Sequence, residues 1–295
     1  MYNSNADVLK ELDTFCIKNG YDAETVTKSL SDAWAVQRET EGISARNIRV
    51  SNLRQVSKYL ISIGTESYMP QMLQSTESKI AHVFTSEERK EFFECLNRLI
   101  IKKKDKRLLE ECRVIFRLYY CCGLRLSEPL RLTWNDIDCD SGRITILQSK
   151  GYKDRVVWVT TDVAEMIRKY HEYISAECPN ETLVFPGAKN GKPVNKVTVR
   201  AYFQRTLALT SYATISNPPT IKSFRHTFVV DRLNTWMENG ENIEDKLPYL
   251  SKYLGHNSIH ESLYYYHQVS EAFRIIHDRD KTSDIVIPEV NESEE

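Results

Sequence analysis

Apolar residues in the first eighty positions fall at helical spacing. Leu53, Val56, Leu60 and Ile63 recur every three or four residues, alongside Ile48 and Tyr59, and predict a helix from about Ser44 to Ile63. Similar patterning predicts helices over about 6–18, stopped by Asn19-Gly20, and over about 23–38. Pro70 ends whatever follows Gly64, and Ser75–Ala81 has the small, polar make-up of a linker. Thr85-Ser86-Glu87-Glu88 then reads as an N-cap opening a helix to about Ile101, and residues 107–122 form a strongly apolar helix closed by Gly123. Ser127-Glu128-Pro129 predicts a shorter helix, with serine as cap and proline in the first turn. Arg143–Gln148 and Arg155–Thr160 alternate as strands, and the glycine-containing loop 149–154 joins them into a β-hairpin. Helices return over about 161–177 and 194–210. Ser223 reads as the cap of a helix to Gly240 that places Phe224, Phe228, Val229, Leu233 and Trp236 on one face. Pro248–Leu254 reads as a short helix stopped by Gly255, and the capping box Ser258–Glu261 opens a last helix through Tyr266. No internal repeat is visible. The predicted fold class is mainly α in two domains, a helical one over 1–80 and an α-rich one over 81–295 with a small antiparallel sheet.

The chain has 295 residues, of which 41% are hydrophobic, enough to fill two cores. No apolar run approaches the ~20 residues of a membrane span, and Met1–Leu9 carries neither the basic nor the apolar region of a secretion signal. The seven cysteines include no C-x-x-C pair and two adjacent residues, Cys121 and Cys122. That pattern fits small buried hydrophobes in a reducing compartment, so a cytoplasmic location is expected. No G-x-G-x-x-G occurs. The nearest approach to a P-loop, Gly187–Gly191-Lys192-Pro193, has the wrong spacing and ends in proline, which excludes a nucleotide-binding reading on these motifs. His256 and His260 are four apart like a zinc pair, but no third ligand is apparent, and neither metal nor cofactor is expected.

Charge changes the picture by where it lies. The total is −1, yet residues 182–230 contain no acid at all and hold Lys189, Lys192, Lys196, Arg200, Arg205, Lys222 and Arg225. Such a segment can attract a polyanion whatever the overall balance, because phosphate contacts depend on local potential. A second basic run, Lys102–Arg107, reads as a solvated face, and residues 271–295 are acidic.

Side chains suited to phosphoryl chemistry sit at turns and helix starts. Arg125 lies between two predicted helices, and Arg225 in the first turn of the Ser223 helix, where free N–H groups favour an anion. Lys150 stands at the hairpin tip, His256 follows Gly255, and Tyr264, Tyr265 and Tyr266 ride the last helix. Arginine forks match the oxygens of a phosphoryl transition state, a lysine can protonate a leaving alkoxide, and a tyrosine can be a nucleophile. Individually each signal is weak. Arg125 could simply pair with Glu128, a Gly-His is commonly a helix end, and a tyrosine cluster is commonly packing.

Their order is specific. CGLRLSEPLRLTWNDID (121–138), QSKGYKDRVVWV (148–159), TIKSFRHTFVVDRL (220–233) and LGHNSIHESLYYYH (254–267) resemble, in sequence, the four boxes of the tyrosine recombinases of the phage-integrase family. The resemblance covers about residues 84–275, and the helical 1–80 region looks like that family's core-binding domain. It implies a two-domain clamp on double-stranded DNA, a homotetramer on paired sites, and strand exchange through a 3′-phosphotyrosine with no metal or nucleotide. Carried over by position, Arg125 and Arg225 would bind the scissile phosphate, Lys150 would protonate the leaving 5′ oxygen, and His256 would assist. Tyr265, nine residues after His256, would be the nucleophile, and Glu128 would hold Arg125 in place. One departure stands out: Lys222 occupies the family's usual histidine position, where it can meet phosphate as a point charge but, while charged, cannot accept a proton. His226 is taken as structural. The acidic tail, with Phe273, Ile275 and Ile276, would dock on a neighbouring subunit, whereas Glu289–Glu295 reads as a disordered end. Two rivals stay open, a single-site nicking–closing topoisomerase and a non-catalytic DNA-binding protein of the same fold.

Overall fold

The computed structural model describes residues 2–22, 24–39, 41–72, 81–149, 154–188 and 191–256. The chain divides into two compact units, Met1–Lys79 and Ile80–Glu295.

The first unit contains α1 (Tyr2–Asn19), α2 (Lys28–Trp34) and α3 (Ile43–Ser62). Its core gathers Leu12, Cys16, Val26, Leu30, Trp34 and Leu53. Helix α2 is much shorter than the 23–38 span predicted. It starts where the Thr27 hydroxyl accepts the Leu30 N–H at 3.1 Å. Beyond Trp34 the chain is held by a long-range contact: Arg49 of α3 donates to the Val36 carbonyl, pairs with Glu41 at 2.6 Å and stacks over Trp34. Of the apolar positions read for this helix Leu53 is buried as expected, while Ile48, Tyr59 and Ile63 are exposed and Val50, not among those read, is buried.

The second unit runs α4 (Ser86–Arg98), α5 (Lys106–Cys122), β1 (Ile137–Asp138), β2 (Arg143–Ile146), β3 (Arg155–Trp158), α6 (Thr161–Glu177), α7 (Lys196–Leu207), α8 (Ile221–Glu238) and α9 (Ile243–Leu254). Helix α4 is capped by Thr85 as expected, and Glu88 returns its side chain to complete a capping box. Helix α5 is the centre of the core: Ile115, Phe116, Leu118 and Tyr119 have no exposed surface. Phe92, Phe116, Phe203 and Phe224, from α4, α5, α7 and α8, pack ring against ring beside it. The hairpin pairs Arg143 with Trp158 and Ile146 with Arg155. A third strand, β1, lies antiparallel to β2 and was not predicted, since two residues carry no legible alternation.

Three local boundaries differ from expectation. Ser127 caps nothing, and the helix read at Ser127-Glu128-Pro129 is a single 3₁₀ turn, Pro129–Arg131. Helix α8 is capped by Thr220, with Ser223 as its third helical residue returning a hydroxyl to the Thr220 N–H at 2.9 Å. Arg225 is therefore in the second turn and buried, not among the free N–H groups of the first. Helix α9 starts at Ile243, capped by Asn242, and contains Pro248 in its interior. The Lys102–Arg107 run is not wholly a solvated face either: Arg107 is half-buried and donates to the Gly187 carbonyl and Cys178 Sγ.

Glu111 of α5 has no exposed surface. One carboxylate oxygen accepts the Gly187 N–H at 3.1 Å; the other makes no hydrogen bond, with Arg107 Nε 3.7 Å away. Burial outweighs these two neighbours and pushes the Glu111 carboxyl up to about 7. A carboxyl raised on folding contributes stability that is fully present below its unfolded value of 4.5 and is lost as pH rises through about 7. Glu111→Gln is therefore expected to raise stability at pH 8 by roughly 2–3 kcal/mol and to flatten the loss between pH 5 and 8. Urea unfolding of both chains across that range checks it.

Candidate active site

Two helices end in left-handed glycines, and the site is built on both. Helix α5 closes at Gly123, with φ +59°, and α9 closes at Gly255, with φ +65°. A Cβ at Gly123 would stand 2.6 Å from the Phe228 ring, so the close approach of α8 to this turn also requires glycine. Arg225 reaches from α8 into the gap between the two helix ends. It donates to the Gly123 carbonyl at 2.6 Å and to the Leu254 carbonyl at 2.9 Å. Helix C-termini carry carbonyls with partial negative charge, which accounts for burial of a guanidinium here. Carbonyl partners orient the fork without cancelling its formal charge.

Arg125 follows the Gly123 turn. Its side chain donates to Glu128 Oε1 at 3.1 Å, to Ser149 Oγ at 2.8 Å and to the Gly255 carbonyl. The two arginines thus hold the carbonyls of consecutive residues, Leu254 and Gly255, immediately before His256. His256 is buried and shares one cleft with Arg125 and Arg225.

That cleft has a volume of about 870 Å³. Lys196 and Arg200 of α7, Lys222 and His226 of α8, and Gln204 and Thr220 line it as well. Four of the seven basic residues in the acid-free segment therefore line this one cleft, and no carboxylate is among the described lining residues. Arg205, by contrast, points elsewhere, over the Tyr202 ring. Lys222 is exposed. His226 is held down at about 4 by burial first and then by the Arg225 and Lys222 charges, so it is neutral near pH 7.

The structure brings Arg125, Lys222, Arg225 and His256 together, while Lys150 and Tyr265, with the whole segment 257–295, lie outside the described residues. Among the described residues no three of His, Cys, Asp or Glu are grouped to hold a metal, and no helix is long and apolar enough to cross a membrane. All seven cysteines are free thiols.

Two participants were missed in the sequence. Arg155 donates both ends of its fork to Glu128, at 2.8 and 2.7 Å, and Ser149 donates to the same carboxylate at 2.6 Å. Burial of Glu128 favours its protonated form, but the Arg155 bonds and charge, with help from Ser149 and the Arg125 amide, outweigh it and hold the carboxyl down at about 2. A signal for Arg155 did exist: it stands two residues from buried Val157 and so on the inward face of β3. An arginine in that phase asks for a buried partner.

Residues 82–272 match the phage integrase family. A putative integrase/recombinase of Sinorhizobium fredii is 31% identical over 146 residues, covering 50% of this chain and 52% of that protein. The tyrosine recombinase XerC of Chlorobaculum parvum is 26% identical over 260 residues, covering 81% and 74%. The chain spans about half the length of the first curated relatives it matches. Among solved structures, the Tn1549 transposon integrase in complex with transposon right end DNA superimposes with a TM-score of 0.62 at 17% identity, covering 85% of both chains. At that identity the likeness is one of fold, and it agrees with the mainly α, small-sheet architecture expected.

Proposed function

The chain belongs to the phage integrase family, and on that premise we propose that it carries out site-specific DNA strand exchange through a 3′-phosphotyrosine. The observation that carries this reading is the acid-free cleft in which Arg125, Arg225 and His256 meet over two helix ends. A phosphodiester in that cleft receives the two guanidinium forks on its non-bridging oxygens, where negative charge grows in the transition state. The Tyr265 oxygen attacks phosphorus and gives up its proton to His256 or to solvent, the bond to the 5′ oxygen breaks, and Lys150 supplies the proton that oxygen takes up. The phosphotyrosine conserves the bond energy, so a 5′ hydroxyl from a partner strand reverses the step with no added nucleotide. His256 hydrogen-bonds the phosphate or relays a proton. Lys222 meets the DNA backbone as a point charge, and Lys196 and Arg200 line the same cleft.

In this reading residues 1–80 form the core-binding domain and 81–295 the catalytic one, closing as a clamp on the duplex, and four copies act on two DNA sites. The test begins with selection of bound duplexes from a random pool. A nicked version of the selected site, which loses its partner strand after cleavage, should then trap the chain covalently on DNA in EDTA and without ATP. Two intact copies of the site should exchange strands. Binding without any covalent complex would mean a non-catalytic DNA-binding protein, and relaxation of supercoils without exchange would mean a nicking–closing enzyme.

A further inference from the structure

Glu128 lies between two guanidiniums, and it serves them unequally. Its side chain is 4% exposed, that of Arg155 7% and that of Arg125 20%. Arg155 binds both carboxylate oxygens with the two ends of its fork, the stronger, bidentate arrangement. The Arg125 side chain touches only Oε1, at 3.1 Å, while Oε2 accepts the Arg125 backbone N–H at 2.7 Å. One negative charge thus faces two positive ones, and the closer pair is Glu128 with Arg155. Gly255 fits against both arginines: a Cβ there would stand 3.2 Å from Arg125 Nη1 and 3.4 Å from Arg155 Nη1.

We propose that Arg155 is a positioning residue for Arg125: it takes up the charge of Glu128, so that Glu128 fixes the geometry of Arg125 without cancelling the positive charge that Arg125 presents to the phosphate. This rests on the functional reading above. Without Arg155, the buried carboxylate would have Arg125 as its nearest counter-charge, and the cluster would fall from a net positive charge to zero beside the cleft. An Arg155 that only filled space and satisfied hydrogen bonds would not have this consequence.

The experiment compares cleavage rates on the nicked substrate for the unaltered chain, Arg155→Met, Arg155→Met/Glu128→Gln and Arg155→Lys, with circular dichroism and DNA binding measured alongside. Arg155→Met should cleave about 100-fold more slowly while still binding DNA, the size of loss expected when one electrostatic element of an active site is removed. Removing the carboxylate charge as well should restore cleavage to within about tenfold of the unaltered chain, because Arg125 regains its surplus charge. A double variant no faster than Arg155→Met would show a purely structural role and overturn the inference. So would Arg155→Met cleaving as fast as the unaltered chain. If Arg155→Met does not fold, Arg155→Lys decides: it keeps the charge without the fork, should remain within about tenfold, and overturns the inference if it loses about 100-fold or more. Failure of the unaltered chain to cleave would overturn the functional reading, and this inference with it, which the control separates from failure of the Arg155 variants alone.

Discussion

A nicked substrate incubated with Tyr265→Phe should yield no covalent protein–DNA complex, whereas Tyr264→Phe and Tyr266→Phe should each still yield one. On the helix predicted for residues 258–266, successive residues would point about 100° apart, so of three adjacent tyrosines one would face a given phosphate. The family resemblance selects Tyr265, which stands nine residues beyond His256, as the family's nucleophile does, with Ser262 three residues before it where the family commonly has threonine. The root of that segment is fixed by the arginines themselves, since Arg225 holds the Leu254 carbonyl and Arg125 holds that of Gly255. The last described residues before that segment are therefore held by the two arginines proposed to bind the phosphate. Phenylalanine keeps the ring and removes only the attacking oxygen, so the expected effect is total loss of the trapped species with DNA binding intact. Trapping by Tyr265→Phe together with failure of one neighbour's variant would place the nucleophile one residue away.

Arg225→Ala is the second change with a large expected effect. On the proposed function cleavage should fall by about 1,000-fold, because a guanidinium that meets developing phosphoryl charge acts most strongly in a buried setting. Affinity for DNA should fall by less than about tenfold, since binding is shared among many phosphate contacts. The chain should also lose about 1–3 kcal/mol of stability, because the Gly123 and Leu254 carbonyls lose the donor that joins them. Single-turnover cleavage, a binding titration and urea unfolding separate the three. Arg225→Lys discriminates further: an ammonium keeps the charge but cannot reproduce a planar fork spanning two carbonyls, so stability should recover more than cleavage does. Cleavage by Arg225→Ala within about tenfold of the unaltered chain would remove Arg225 from the phosphate site.

Most of the helices could be read along the chain, because each carries its own signals. Thr85 with Glu88, Gly123 after an apolar run, and Gly255 after Leu254 act over three or four residues, and the structure has each of them in the expected role. The acid-free stretch 182–230 was equally visible as a charge pattern, and four of its basic residues do line the cleft.

Where reading along the chain failed, a distant contact had outweighed a local preference. Ser223 read alone is as good a cap as Thr220, but in the helix packed against α5 Thr220 is the cap and Ser223 the third helical residue, which moves Arg225 from an open helix start into a buried gap. The segment after Trp34 has helical composition, but Arg49, thirteen residues beyond Val36, takes the Val36 carbonyl. Arg155 looked like one more alternating strand residue, because its partner Glu128 is twenty-seven residues away and the bond exists only once the hairpin has folded onto the Gly123 turn. Local chemistry marked Arg125, Arg225 and His256 only weakly, and it was the order of the four boxes, through their resemblance to the phage-integrase family, that singled them out. The charge balance around Arg125 was not legible, because it depends on which guanidinium reaches both oxygens of one buried carboxylate, and that is a matter of distances in space.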